Sequence, residues 1–260
     1  MTQVQTLKEQ LKAKRYILNG YCKLPGAITA EMYATQGWDA VTLDMQHGLI
    51  GYESAIPMFH AIAKVGVLPM ARGPWLEPSI IMRLLDAGCL GITCPMISTA
   101  EEARRLVRYC KYPPQGERSF GPVRAKLLYG GDYVPRANGM VSVFAMIETT
   151  LGLKNADEIL AVEGIDGVYI GAMDLAMSMN KPIDGPIDPA VAAEVEKLLQ
   201  KCRARDLVAG IIARNSGQAR QFIERGFRFI TLASDADAMT TQAKLWIEGC
   251  RGDKQIKGDK

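Results

Sequence analysis

The sequence predicts an α/β fold, a single (β/α)8 TIM barrel with an extra N-terminal helix. Three observations predict it: eight apolar runs of strand length, longer amphipathic stretches between them, and a chain of 260 residues, close to the ~250 that eight such units occupy. The strand segments are YILNGYC (16–22), AVTLDM (40–45), VLPMAR (67–72), GITCPMI (91–97), SVFAMIE (142–148), GVYIGAM (167–173), VAGIIAR (208–214) and FITLAS (229–234). A doubly wound open sheet is the alternative for such alternation. It would carry a G-x-G-x-x-G turn after its first strand, and none is present.

Ahead of the first strand, residues 5–14 predict a polar helix whose Leu7 and Leu11 share one face and pack under the barrel. Gly37, Gly88, Gly164 and Gly226 each stand just before a strand, where a helix C-terminus wants a left-handed residue. The stretches QGWDAVTL, VEGIDGVYI and RGFRFITL repeat that pattern of glycine, short turn and strand, which marks a repeated βα unit and not a solenoid. Helix starts are read at Ser98–Glu101, as a capping box, and at Asp188, as an N-cap followed by Pro189. Residues 112–140, rich in Gly, Pro and Arg, predict a long functional or interfacial loop between the fourth crossover helix and the fifth strand. The barrel domain is expected to span residues 1–250, with residues 251–260 a charged, flexible tail.

Composition excludes several classes of function. Lys and Arg number 31 against 28 acidic residues and form no basic stripe, so nucleic acid is not an expected partner. The N-terminus is polar, and nowhere do the ~18 apolar residues of a membrane span run together, so a cytoplasmic protein is expected. The six cysteines form no CxxC pair and several lie in apolar runs, which predicts reduced, buried thiols and supports neither a zinc cage nor a disulfide framework.

In such a barrel, polar residues at strand C-termini meet at one mouth. The second strand delivers Asp44 and His47, the third Arg72, the fifth Glu148 and the sixth Asp174. Each alone reads more simply as a cap, a surface ion pair or a structural histidine; their convergence favours chemistry. Glu148 and Asp174 follow apolar runs, so two carboxylates near low-dielectric walls must share a proton, pair with Lys or Arg, or bind a cation. A metal is the economical solution. Two carboxylates with no Cys and at most one His describe a hard-oxygen site suited to Mg²⁺, Mn²⁺ or Co²⁺. Such an open site can chelate a 2-oxo acid and ease its deprotonation at C3. A Schiff-base route would need a buried lysine, and only Lys23 is placed for one. His60, in AIPMFHAIAKVG, is expected to be structural, and no nucleotide cofactor is expected.

The ordered set LDMQHG, ARGPW…P, LLDAG, PM, YPPQGERSFGP, AMIET and GAMDL resembles the HpcH/HpaI aldolases, metal-dependent class II pyruvate aldolases of the phosphoenolpyruvate/pyruvate superfamily, over residues 16–248. The hydroxypyruvate/pyruvate aldolase branch is the most similar. The resemblance implies that Glu148 and Asp174 ligate the metal, and that the backbone N–H groups of Met173 and Asp174 hold the substrate carboxylate. It implies that Arg72 acts over the keto oxygen, and that His47 is the general base, acting through water, with Asp86 raising its basicity. Asp44 would support the site from behind. A carboxylate two residues before the helix-ending Gly88 is disfavoured by the helix dipole, so Asp86 should have a compensating partner unless its helix ends earlier. The implied reaction cleaves a 4-hydroxy-2-oxo acid to pyruvate or hydroxypyruvate and an aldehyde, in a homohexamer whose neighbouring subunits help choose the aldehyde. Oxaloacetate decarboxylation and enolate cyclisation are the alternatives within the same chemistry. A non-enzymatic scaffold is disfavoured, because every charged site position is present. Three departures from relatives are Met146 where some carry glutamine, Met173 where smaller residues are common, and Gly73 in place of proline.

Overall fold

The computed structural model describes residues 4–251. Eight strands, β1 (Ile17–Cys22), β2 (Ala40–Asp44), β3 (Leu68–Arg72), β4 (Gly91–Cys94), β5 (Ser142–Ile147), β6 (Gly167–Ile170), β7 (Val208–Ala213) and β8 (Phe229–Ser234), pair in sequence order. All pairs are parallel, and β8 closes on β1 with Ile17 opposite Phe229. The TIM barrel expected from the sequence is therefore the observed fold. Around it lie α1 (Leu7–Ala13), α2 (Ala27–Ala34), α3 (Tyr52–Lys64), α4 (Pro78–Asp86), α5 (Ala100–Cys110), α6 (Val123–Tyr129), α7 (Tyr133–Met140), α8 (Thr150–Lys154), α9 (Ala156–Leu160), α10 (Ala172–Ser178), α11 (Pro189–Ala204), α12 (Ser216–Arg225) and α13 (Asp235–Arg251).

The strands read as continuous apolar runs because both of their faces are buried. Val41, Leu43, Ile92, Val143, Val168, Ile211 and Ile230 face the helices, whereas Ile17, Met70, Phe144, Tyr169 and Phe229 fill the interior. That alternation also puts Asp44, Arg72 and Glu148 on the inward register, two residues above filled interior layers. Gly37, Gly88, Gly164 and Gly226 all have positive φ, as their positions before strands predict.

The N-terminal helix is α1, started by a reciprocal capping box between Thr6 and Glu9. Its Leu7 is buried in the interior cluster beside Ile17 and Val208, so α1 plugs the closed end of the barrel. Asp188 and Pro189 begin α11 as expected. Two expectations need correction. The capping box of α5 lies one residue later than read, between Thr99 and Glu102, while Ser98 also donates its backbone N–H to Glu102. The segment after α5 is not a plain loop: it folds into α6 and α7, each too short to show helical periodicity in sequence. Lys111 pins its end by donating to the carbonyls of Asn138 at 2.7 Å and Val141 at 2.6 Å.

Cys22, Cys89, Cys94, Cys110 and Cys202 are buried and free, and Cys250 is exposed and free. His60 lies on the exposed side of α3. No helix among the described residues is long and apolar enough to cross a membrane. Of the expected tail, Arg251 ends α13 and residues 252–260 lie outside the described residues.

Candidate active site

At the open end of the barrel the strands deliver charge in two groups. Asp44 and Arg72 are register partners on β2 and β3, so their side chains emerge side by side. Arg72 donates from Nε to Asp44 Oδ1 at 2.9 Å and from Nη2 to Oδ2 at 2.6 Å, a two-pronged pair in which Asp44 is fully buried. Burial pushes the Asp44 carboxyl up, but the Arg72 fork and charge, with the backbone N–H groups of His47 and Gln46, outweigh it and hold it below its ordinary 3.8. Those N–H groups reach Asp44 Oδ1 at 3.2 Å, folding the turn after β2 back onto the same carboxylate. Gly48 is needed in that turn, because a Cβ there would run into the Asp44 carbonyl. The turn leaves His47 exposed at the mouth.

The opposite side is unbalanced. Glu148 follows β5 and is 1% exposed; its Oε1 accepts the backbone N–H of Met96 at 2.7 Å. Met96 aims that N–H from φ +61°, an uncommon conformation for a residue with a side chain. Glu148 Oε2 is buried, and among the described residues it has no neutral or cationic donor, only the Asp174 carboxylate within reach. Asp174, in the first turn of α10, faces it. Burial, opposed by the Met96 N–H and reinforced by the Asp174 charge, pushes the Glu148 carboxyl up to about 7. Gly171 makes the space: a Cβ there would stand 2.6 Å from Glu148 Cβ and 2.8 Å from Met146 Cε.

An orphaned carboxylate oxygen facing a second carboxylate is a conflict that a cation resolves. Among the described residues no group of three or more His, Cys, Asp or Glu side chains is arranged to hold a metal. The Glu148 and Asp174 carboxylates are hard oxygen donors, the type that suits a divalent ion such as Mg²⁺ or Mn²⁺. Gly171 provides no side-chain cap to α10, which leaves the first N–H groups of that helix open to an anion beside the same carboxylates.

Asp44 thus pairs with Arg72 and Glu148 meets Asp174, while His47 and Met173 are exposed on the segments that follow β2 and β6. Asp86 does not follow the expectation that it pairs with His47. It ends α4 as anticipated, but its Oδ1 accepts from Arg118 Nη2 at 2.7 Å, and no bond to His47 is present among the described residues. Arg118 has a fully buried side chain, also donates to the Tyr133 hydroxyl at 3.1 Å, and lies 4.4 Å from the centre of the Tyr112 ring. A buried, permanently charged guanidinium needs a counter-charge more than an exposed imidazole does. The compensating partner that the helix dipole demands exists, and it is Arg118.

Residue-by-residue reading also missed Met96, whose proline neighbour Pro95 interrupts the fourth apolar run, and Tyr21, one of several aromatics in the interior. Met146, where some relatives carry glutamine, is buried in the interior cluster against the space left by Gly171.

The family model described as HpcH/HpaI aldolase/citrate lyase matches residues 21–241. The chain is 40% identical over 238 residues to a hydroxypyruvate/pyruvate aldolase of Rhizorhabdus wittichii, covering 91% of this chain and 95% of the relative. It is 32% identical over 242 residues to a 4-hydroxy-2-oxo-heptane-1,7-dioate aldolase of Escherichia coli, covering 92% of each. The crystal structure of an HpcH/HpaI aldolase from Desulfitobacterium hafniense superposes with a TM-score of 0.88 at 26% identity, over 98% of this chain and 99% of that one.

Proposed function

The chain belongs to the HpcH/HpaI aldolase/citrate lyase family and is an aldolase, a carbon–carbon lyase, and from that premise we propose that it uses a divalent cation to cleave a 4-hydroxy-2-oxo acid reversibly into pyruvate or hydroxypyruvate and an aldehyde. The observation that carries the reading is the orphaned Glu148 Oε2 opposite Asp174, across the mouth from the Asp44–Arg72 pair. Glu148 and Asp174 would hold Mg²⁺, Mn²⁺ or Co²⁺, which when bound supplies Lewis-acid stabilisation of negative charge at the keto oxygen.

The chain's own groups account for the remaining work. The open N–H groups at Met173 and Asp174 hold the substrate carboxylate and set its 2-oxo group toward Arg72. Arg72 donates from the N–H groups that Asp44 leaves free to the oxygen on which charge develops. His47, exposed at the mouth, takes the proton of the C4 hydroxyl through a water molecule. The C3–C4 bond breaks, its electron pair enters the enolate of the departing 2-oxo acid, and the aldehyde leaves. A proton delivered to C3 completes the cycle. Asp86 is assigned no part in this sequence within one chain, because Arg118 holds it.

The expected partners are a small 2-oxo acid and an aldehyde. We include in the reading a cytoplasmic homohexamer, whose assembly is supported by Leu245, Trp246 and Ile247, all at least half exposed on α13. Sedimentation of the purified protein reads the subunit number.

A panel of 4-hydroxy-2-oxo acids, assayed for released pyruvate or hydroxypyruvate before and after chelation, tests the chemistry. Activity should vanish in EDTA and return with Mg²⁺, Mn²⁺ or Co²⁺. Full activity in EDTA, with borohydride trapping of pyruvate on Lys23, overturns the reading.

A further inference from the structure

Arg72 uses Nε and Nη2 on Asp44, and because a guanidinium is planar, whatever holds that plane also sets the direction of its remaining N–H groups. The neighbour below it is Tyr21 of β1, with the Arg72 Cζ 5.2 Å from the ring centre. β1 and β3 are alternate strands, which in this fold contribute to the same interior layers. Tyr21 is 3% exposed, and its hydroxyl is turned toward the equally buried hydroxyl of Tyr169 and away from Arg72 and Asp44. A contact between two buried phenol hydroxyls does nothing to hold Arg72. The negative face of its ring, by contrast, is what a guanidinium largely removed from water requires, and the 5.2 Å distance lies within the range where that attraction acts.

We infer that Tyr21 is a positioning residue for Arg72: its ring supports the guanidinium from below and helps hold the plane in which the Asp44 fork sets the remaining N–H groups. The inference rests on the proposed role of Arg72 at the substrate oxygen. It assigns the ring and not the hydroxyl, so phenylalanine should serve in its place.

The experiment measures steady-state cleavage by Tyr21→Phe, Tyr21→Leu and Tyr21→Met, each alone and combined with Arg72→Lys, together with Mn²⁺ titration of each protein. Tyr21→Phe should keep kcat within about twofold. Tyr21→Leu should lose kcat by roughly 3- to 30-fold, the range a partly desolvated cation–π contact commands. KM for the 2-oxo acid substrate and Mn²⁺ affinity should stay nearly unchanged. In the Arg72→Lys background Tyr21→Leu should cause no further loss, because a residue acting through Arg72 has nothing left to position. Tyr21→Met carries the same expectation should the leucine variant fail to fold. Wild-type kcat in the folded leucine or methionine variant, an equal loss in Tyr21→Phe, or an undiminished loss in the Arg72→Lys background overturns the inference and leaves the Arg72 reading standing. Wild-type turnover by Arg72→Lys alone instead removes the Arg72 reading itself.

Discussion

On the β2–β3 side of the mouth a buried carboxylate, Asp44, meets a guanidinium at 2.6 Å; across the barrel an equally buried carboxylate, Glu148, meets a second carboxylate. On the first side Asp44 is already satisfied by Arg72 and two backbone N–H groups. On the second side one backbone N–H satisfies half of Glu148 and, among the described residues, leaves the other oxygen facing only the Asp174 carboxylate. The same functional group, buried to the same degree, therefore plays opposite parts. A compensated carboxylate orients a neighbour, and an uncompensated one recruits a cation.

The largest test of this contrast is Glu148→Gln. Turnover should fall by roughly 10⁴-fold or to background, since the lost ligand removes several kcal/mol of charge stabilisation. The metal-free protein should melt at a higher temperature than wild type, because a neutral amide ends the conflict with Asp174. A lower melting temperature together with unchanged Mn²⁺ affinity would show that Glu148 is a structural carboxylate.

His47→Ala should lower cleavage by about 10²- to 10⁴-fold while Mn²⁺ and pyruvate binding persist, as befits a proton carrier on the balanced side. Mn²⁺ titration monitored by electron paramagnetic resonance decides the matter. A large fall in Mn²⁺ affinity would make His47 a ligand and break the division between the two sides.

Asp44→Asn mirrors Glu148→Gln and should act with the opposite sign on stability. It takes from Arg72 its paired counter-charge in a nearly dry site, at a cost of about 3–5 kcal/mol read by denaturant unfolding. A neutral or stabilising result would mean that solvent reaches the guanidinium.

The smallest effect is the pH response of the metal-free protein, where the two sides should pull in different windows. Glu148 has its carboxyl raised in the fold from 4.5 to about 7, so the folded state holds the extra proton between those values. Its contribution to stability is complete below pH 4.5 and is lost as pH rises through about 7, at up to ~1.4 kcal/mol per pH unit. Asp44 is lowered, so its contribution is present above 3.8 and disappears as pH falls through its folded value. Saturating Mg²⁺ should flatten the upper slope and leave the lower one. Melting curves across pH with and without Mg²⁺ measure both, and an upper slope that survives Mg²⁺ would detach it from Glu148.

Much of this was legible in the chain because its signals are local. Eight apolar runs became eight strands, four glycines placed before strands all took positive φ, and Asp188–Pro189 began a helix. Asp44, Arg72, Glu148 and Asp174 were legible as a group because a parallel barrel brings every strand end to one face. Periodicity failed where elements are short, as in α6 and α7, and where two adjacent residues could both cap a helix, as Ser98 and Thr99 could.

The sequence by itself determined the closed α/β architecture, the end of the barrel that carries the charges, and the family to which the chain belongs. Tertiary structure alone decided the pairings. Arg118 rather than His47 answers Asp86, the Met96 N–H answers one oxygen of Glu148 and leaves the other open, and the Tyr21 ring lies beneath Arg72. The physical reason is one of range. Strand and helix patterns are written within a few consecutive residues, whereas a buried charge chooses its partner among groups that meet only when the barrel has closed and its register is set.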